Sequence, residues 1–134
     1  MEGVNTSILF SEDSIGRWRP RSLFFDNDAD QINGLLADRV VGDLIQPEQY
    51  CYGDTVSTYD YRLFKVDRNL LDCSCELIRR ETESMDSVGD FIFYSAQGGG
   101  TGSGLSRELK ERLNVSYGAK FQAIGMTVVP PPDR

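Results

Sequence analysis

Five of the seven residues in Gly98-Gly99-Gly100-Thr101-Gly102-Ser103-Gly104 have no side chain. The run is not a free-standing linker. The apolar stretch Asp90-Phe91-Ile92-Phe93-Tyr94-Ser95-Ala96 leads into it, and Leu105, Leu109 and Leu113 leave it at the i, i+4, i+8 spacing of a helix face. Strand, glycine loop and helix in that order suit an anion. Backbone N–H groups without neighbouring side chains approach it closely, and the helix N-terminus adds partial positive charge. The spacing is not that of a P-loop, because no Gly-Lys-Ser/Thr comes after it. Nor is it Gly-x-Gly-x-x-Gly, because the sixth position counted from Gly98 is Ser103. We read residues 98–104 as the phosphate grip of a nucleotide site and the other segments as placed around it.

The length of 134 residues predicts one domain, and 40% hydrophobic with 26% charged residues predicts a globular one. A net charge of −7 from 14 basic and 21 acidic residues argues against nucleic acid as a partner and against an anionic membrane surface. No basic leader with a long apolar run after it opens the sequence, so no signal peptide is expected, and no stretch approaches the roughly 20 apolar residues of a membrane helix. Cys51, Cys73 and Cys75 are odd in number and lack zinc spacing. They read as free thiols in a reducing compartment. The absence of histidine rules out any triad or metal site built on that residue.

Taken in order, Thr6–Phe10 reads as a short extended piece and Ser11–Arg19 as a surface loop. Arg21-Ser22-Leu23-Phe24-Phe25-Asp26 reads as a buried strand that ends on acids. Asp26, Asp28 and Asp30 then cluster past its carboxyl end, which is where open α/β sheets bind ligands. Ile32, Leu35, Leu36 and Val40 come next at helical spacing, so Asp28 or Asp30 suits an N-cap. Capping and solvation explain these acids on their own terms; a metal role gains weight from the phosphate loop. Residues 42–64 read as irregular, with a turn at Gln46-Pro47-Glu48-Gln49. Tyr50–Thr55 and Ser57–Tyr61 read as an aromatic-rich loop that either packs its tyrosines or closes over a nucleotide. Asp67 opens a helix to about Glu83 with Leu70, Leu71, Ser74, Leu77 and Ile78 as its buried stripe. Cys73 and Cys75 leave that helix in different directions and read as packing residues. Tyr117-Gly118 turns the chain, Phe121–Val129 is β-rich, and Pro130-Pro131-Pro132 ends it. The expected order is β-α-loop-α-β-α-β, an alternating α/β unit.

The heptapeptide Gly-Gly-Gly-Thr-Gly-Ser-Gly resembles the signature of the tubulin family, and other segments agree in order. Arg19-Pro20-Arg21-Ser22-Leu23-Phe24-Phe25-Asp26 is similar to that family's Val-Pro-Arg-Ala-Val-Phe-Val-Asp strand. Gln46-Pro47-Glu48-Gln49 is similar to the His-Pro-Glu-Gln of α-type chains. Glu111-Arg112-Leu113-Asn114-Val115-Ser116-Tyr117-Gly118 resembles Glu-Arg-Leu-Ser-Val-Asp-Tyr-Gly, and Val129-Pro130-Pro131-Pro132 resembles Tyr-Pro-Ala-Pro. The resemblance covers about residues 5–132.

The resemblance implies a three-layer, Rossmann-like, mostly parallel α/β sheet and a GTP-binding protein of the microtubule cytoskeleton in the cytoplasm. Tubulin subunits and guanine nucleotide would be its partners, and GTP with Mg2+ its cofactors. It implies phosphate contacts from Gly98, Gly99, Gly100, Thr101, Gly102, Ser103 and Gly104, a site role for Asp26 and Ser95, and a magnesium role for Asp28, where α-type chains carry glutamate. Residues 1–134 correspond to a partial nucleotide-binding domain, without the family's first strand and helix and without the segments beyond its fifth strand. Ala96 stands where the family has a phosphate-contacting serine, with Ser95 displaced by one, and Ser57-Thr58-Tyr59-Asp60 stands for Ala-Ala-Asn-Asn. The family hydrolyses GTP with help from the next subunit. In this chain no base pairs with a group that positions a nucleophile, so hydrolysis by the isolated chain is not expected. A missing neighbour strand leaves an unpaired edge. The other reading is therefore a non-enzymatic fragment of the same fold that binds a partner without nucleotide. A different nucleotide-binding α/β enzyme is the third.

Overall fold

The computed structural model describes residues 6–53 and 67–132. After a single 3-10 turn at Thr6–Ile8, β1 (Phe10–Glu12) and β2 (Trp18–Pro20) form an antiparallel hairpin, with Phe10 opposite Pro20 and Glu12 opposite Trp18. This corrects the expected extended piece at 6–10 and the loop at 11–19. The hairpin is tied by Asp13. Its carboxylate accepts from the Ile15 and Arg17 amides at 3.0 and 2.9 Å and from the Arg17 and Arg19 guanidinium groups. The Arg17 amide first, then Arg19, hold the Asp13 carboxyl well below the usual carboxylate range. A polar run thus closes on itself through one side chain, a device with no hydrophobic period to announce it.

Next come β3 (Phe24–Asp26), α1 (Ala29–Leu36) and β4 (Tyr50–Tyr52). β3 and β4 pair in parallel, Phe24 against Tyr50, Phe25 against Cys51 and Asp26 against Tyr52. Tyr50–Tyr52, expected to begin an exposed loop, is a strand with Cys51 buried. The turn at Pro47–Gln49 sets it up. Gln49 accepts from the Gln46 amide at 2.9 Å and donates to the Pro20 and Ser22 carbonyls, which fastens this segment to the start of β3.

α2 (Arg68–Glu83) begins on the Asp67 cap, whose carboxylate accepts from the Asn69 amide at 2.9 Å. Its buried residues are the expected Leu70, Leu71, Ser74, Leu77 and Ile78, with Thr82 added. Arg79 and Arg80 pair with Glu76, and Arg79 also with Glu83, so both arginines are solvated partners on their own helix. Cys73 is exposed and Cys75 half-buried, so Cys73 is not the packing residue expected of it.

β5 (Phe91–Ala96), α3 (Ser106–Tyr117) and β6 (Ala123–Val128) make a second parallel unit, in register from Phe91 against Ala123 to Ala96 against Val128. α3 stops at Gly118, whose φ of +56° few other residues adopt. Leu105, Leu109 and Leu113 bury beside the α2 stripe and Cys51, and Leu23, Phe25, Phe91, Phe93, Tyr117 and Phe121 pack against that cluster. Phe91 sits 5.7 Å from the Tyr117 ring and 5.3 Å from that of Phe121, and the Tyr117 hydroxyl meets Thr82 Oγ1 at 2.9 Å. The architecture is the mostly parallel α/β one expected. Among the described residues the strands pair as three two-stranded ladders.

Candidate functional site

Two strands end at the same place. β3 finishes on Asp26, and its Oδ1 accepts from the Asp28 amide at 3.0 Å. The same Oδ1 accepts from the Thr101 hydroxyl at 3.3 Å, 75 residues further along the chain. That bond brings the carboxyl end of β3 to the glycine segment after β5. Asp28 caps α1, accepting from the Asp30 amide at 2.9 Å. Gly53, at the end of β4, donates its amide to the Asp26 carbonyl at 3.0 Å. Gly53 lies so close to Asn27 and Asp67 that a Cβ there would stand 2.4 Å from Asn27 Oδ1 and 3.1 Å from Asp67 Oδ2. The ends of β3 and β4, the cap of α2 and the glycine segment therefore converge at the carboxyl side of the strands, where α/β folds hold ligands.

The glycine segment is mostly helix. Gln97 still donates to the Val128 carbonyl at 2.9 Å. The chain then turns at residues 97–99, enters helix at Gly100 and makes one wide π turn, Thr101–Leu105, that runs straight into α3. The expected open loop up to Leu105 is thus about three residues long, and the helix starts five residues earlier than its leucine spacing implies. Ser103 donates both its amide and its hydroxyl to the Gly99 carbonyl, at 3.2 and 2.7 Å. The amides ahead of that first i→i−4 bond, those of Gly100, Thr101 and Gly102, have no acceptor inside the helix. They carry the positive end of the helix dipole.

The glycines serve two purposes. At Gly102 a Cβ would lie 2.1 Å from the Ala96 carbonyl oxygen, and at Gly98 one would lie 3.2 Å from the Pro130 ring. These two let the turn fold onto the ends of β5 and β6. At Gly99 nothing lies within 4 Å of a Cβ. That position faces open space, as an approach to a ligand requires.

Of the residues that stand out in the sequence, Asp26 and Thr101 touch, Gly99 to Ser103 form the turn beside them, and Asp28 stands two residues from Asp26 on the same strand end. Gly104 lies in the π turn. Ser95 is on the half-buried side of β5 with Phe91 and Phe93, paired with Thr127, so it faces the core side of the strand. Sequence reasoning misses Asn27, Gly53 and Asp67 as neighbours of this site. The Tyr-Cys-Tyr run bounded by Gly53 is the signal that would find the strand leading to them. Residues 57–60, where the family pattern is broken, lie outside the described residues.

No three His, Cys, Asp or Glu side chains among the described residues are arranged to hold a metal by themselves. Mg2+ does not require that, because it is commonly held by one or two carboxylates together with substrate phosphates and water. Asp28 is exposed, and capping engages one of its two oxygens. The donor set therefore fits magnesium shared with a phosphate and does not fit an all-protein cage.

Residues 1–133 match the profile of the Tubulin/FtsZ family, GTPase domain. The chain belongs to the Tubulin/FtsZ family. It is 34% identical over 128 residues to the nucleomorph tubulin alpha chain of Guillardia theta, covering 94% of this chain and 28% of that protein. The tubulin alpha chain of Trypanosoma cruzi is similar to the same degree and extent. Tubulin alpha chain-like 3 of Mus musculus is 34% identical over 136 residues, 98% of this chain and 30% of that protein. The chain thus spans less than a third of the length of the curated relatives it matches. Its two parallel β-α-β units are the α/β, Rossmann-like framework of this family's GTPase domain, and the glycine signature stands at their shared carboxyl end.

Proposed function

We propose that this chain is a tubulin-like, GTP-binding component of the microtubule cytoskeleton, located in the cytoplasm and partnered by tubulin subunits. Gly98 to Gly104 hold the nucleotide phosphates, with Gly100 and Thr101 in direct contact through their amides. Asp26 orients Thr101 and Ser95 supports the end of β5. Asp28 faces Mg2+, directly or through water, and the metal's role is to neutralise phosphate charge. Two carboxylates beside an anion site repel an unaccompanied phosphate, so a bridging divalent cation is what makes this donor set coherent. The observation that carries the reading is the hydrogen bond from Thr101 to Asp26, because it joins the acid cluster to the glycine turn.

A guanine-nucleotide titration of the purified chain tests it. Saturable, magnesium-dependent GTP binding, weakened at least tenfold by Thr101→Val, is expected, since a hydrogen bond to a charged group is worth about 1.5–3 kcal/mol. No saturable binding at millimolar GTP with magnesium would sink the nucleotide claim. Hydrolysis is not assigned to the chain alone.

One observation favours a second reading, a partner-binding role without nucleotide: large apolar residues are exposed on one face of the β5–β6 ladder, with Tyr94 74% and Val128 71% exposed. Co-sedimentation with microtubules separates the two. Association that ignores nucleotide favours the second reading, and nucleotide-dependent association favours the first.

A further inference from the structure

Gly53 is buried just past β4, between the acid turn Asp26-Asn27-Asp28 and the cap of α2. Its amide donates to the Asp26 carbonyl at 3.0 Å, one step beyond the last ladder pair, Asp26 with Tyr52. A Cβ there would stand 2.4 Å from Asn27 Oδ1, 3.1 Å from the Asn27 carbonyl oxygen and 3.1 Å from Asp67 Oδ2. Neither side gives way freely. Asn27 Oδ1 is itself buried. Asp67 is held by its other oxygen, Oδ1, which accepts from the Asn69 amide at 2.9 Å and the Leu70 amide at 3.4 Å to cap α2. The same acid turn carries the bond to the glycine segment, since Asp26 Oδ1 accepts from the Asp28 amide at 3.0 Å and from the Thr101 hydroxyl at 3.3 Å. A retreat of the turn by about 0.3 Å takes that second contact out of hydrogen-bond range.

We infer that Gly53 is a positioning residue of the nucleotide site: its lack of a side chain lets β4 and the α2 cap close on Asn27, and this seats Asp26 where Thr101 reaches it. The inference rests on the reading of residues 98–104 as the phosphate grip. Gly53 contacts no phosphate in it and acts through Asn27 beside it and Asp26 next along the chain. A glycine where backbone must approach this closely is doing what no residue with a Cβ can do. A methyl group at 53 meets Asp67, pinned by the helix it caps, and so pushes Asn27 the other way. The turn then recedes from β4, the bond from Gly53 to Asp26 lengthens, and Asp26 leaves Thr101. Asp28 moves with it, because its amide is bound to Asp26 Oδ1.

The test is calorimetric titration of the full chain with GTP and magnesium, for wild type, Gly53→Ala, Thr101→Val and the two combined. Gly53→Ala should weaken binding by roughly tenfold, as Thr101→Val does, because both end the same bond. The combined variant should be no weaker than either alone to within about twofold, whereas independent losses multiply. Removing the obstructing atom should rescue the defect, so Asn27→Ala added to Gly53→Ala should bind within about twofold of Asn27→Ala alone. A purely structural glycine moves stability without producing this coupling. Amide hydrogen exchange of the wild-type chain gives a readout that does not depend on whether Gly53→Ala folds. GTP with magnesium should slow exchange at the Gly53 amide by at least about threefold, because the occupied site holds the acid turn shut. Unchanged affinity in Gly53→Ala, losses that multiply, a missing rescue, or Gly53 exchange indifferent to nucleotide each overturns the inference while wild-type binding keeps the nucleotide reading standing. No saturable binding by wild type overturns both.

Discussion

A methyl group at position 102 would lie 2.1 Å from the carbonyl oxygen of Ala96 and 2.8 Å from its amide nitrogen. Those are backbone atoms at the end of a paired strand, so they cannot rotate away, and either the π turn or the end of β5 must move. Gly102→Ala is therefore expected to destabilise the chain by about 1–3 kcal/mol, the cost of overpacking. Gly99→Ala, with nothing within 4 Å of the new atom, stays within about 0.5 kcal/mol. Urea midpoints of the two variants check both, and equal shifts would remove the distinction drawn between the packing glycine and the open one. Cys51 gives a second expectation at this scale. Its thiol rises from an ordinary 9.0 to about 12 on folding, first because it is buried. A group with a raised folded value stabilises the fold below its unfolded value and loses that contribution as pH rises towards the folded one. Stability should thus decline from pH 9 upward, and the difference between wild type and Cys51→Ala should shrink over the same window. Thermal unfolding across that range reads it; a gap that widens with pH contradicts the assignment.

Elements differ in how plainly their residues announce them. α2 and the leucine stripe of α3 can be read from spacing, because a 3.6-residue period needs only local information. The same stripe ranks substitutions. Leu109 is buried to 3% exposure between α2 and the strands, so Leu109→Ala should cost about 2–5 kcal/mol. Val115→Ala, at an exposed position of the same helix, stays within about 0.5 kcal/mol. Denaturant unfolding monitored by circular dichroism checks the pair. What spacing does not carry is pairing. β4 has three residues, too few for an alternating period, and it is a strand because β3 offers it a parallel edge and the Gln49 side chain fixes its approach. The β1–β2 hairpin is hidden for a similar reason, since one carboxylate, that of Asp13, organises residues that look polar and loop-like. The candidate site splits along the same line. Its glycines and acids stand out in composition, yet the bond from Thr101 to Asp26 crosses 75 positions and has no local signal. The helical turn ahead of α3 is equally hidden, because it is built on glycine, which spacing rules read as loop.

At the level of the molecule, the β5–β6 ladder is dressed differently on its two sides. The α3-facing side of β6 carries Ala123, Gly125 and Thr127, small residues that are all exposed, with the Lys110 ammonium 3.7 Å from a Cβ placed on Gly125. The outer side pairs Ile92 with Ile124, Tyr94 with Met126 and Ala96 with Val128. Parallel ladders normally have both faces covered, and this outer face is left bare by the described residues, with Ile124 53% exposed. A bare apolar face of this kind binds a fluorescent apolar dye without any unfolding. Addition of anilinonaphthalene sulfonate to the native chain should therefore enhance its fluorescence, at a concentration of denaturant too low to alter the circular dichroism. Ile124→Lys and Met126→Lys should lower that signal while shifting stability by no more than about 0.5 kcal/mol, because both side chains already stand in solvent. Phe93→Lys, on the half-buried side against Phe121, is the contrasting variant and should destabilise the chain clearly more, since it removes a ring packed against the core and sets a second cation beside the Lys110 ammonium. Native protein that leaves the dye dark would mean that this face is covered, and the apolar pairs along β5 and β6 would then be core.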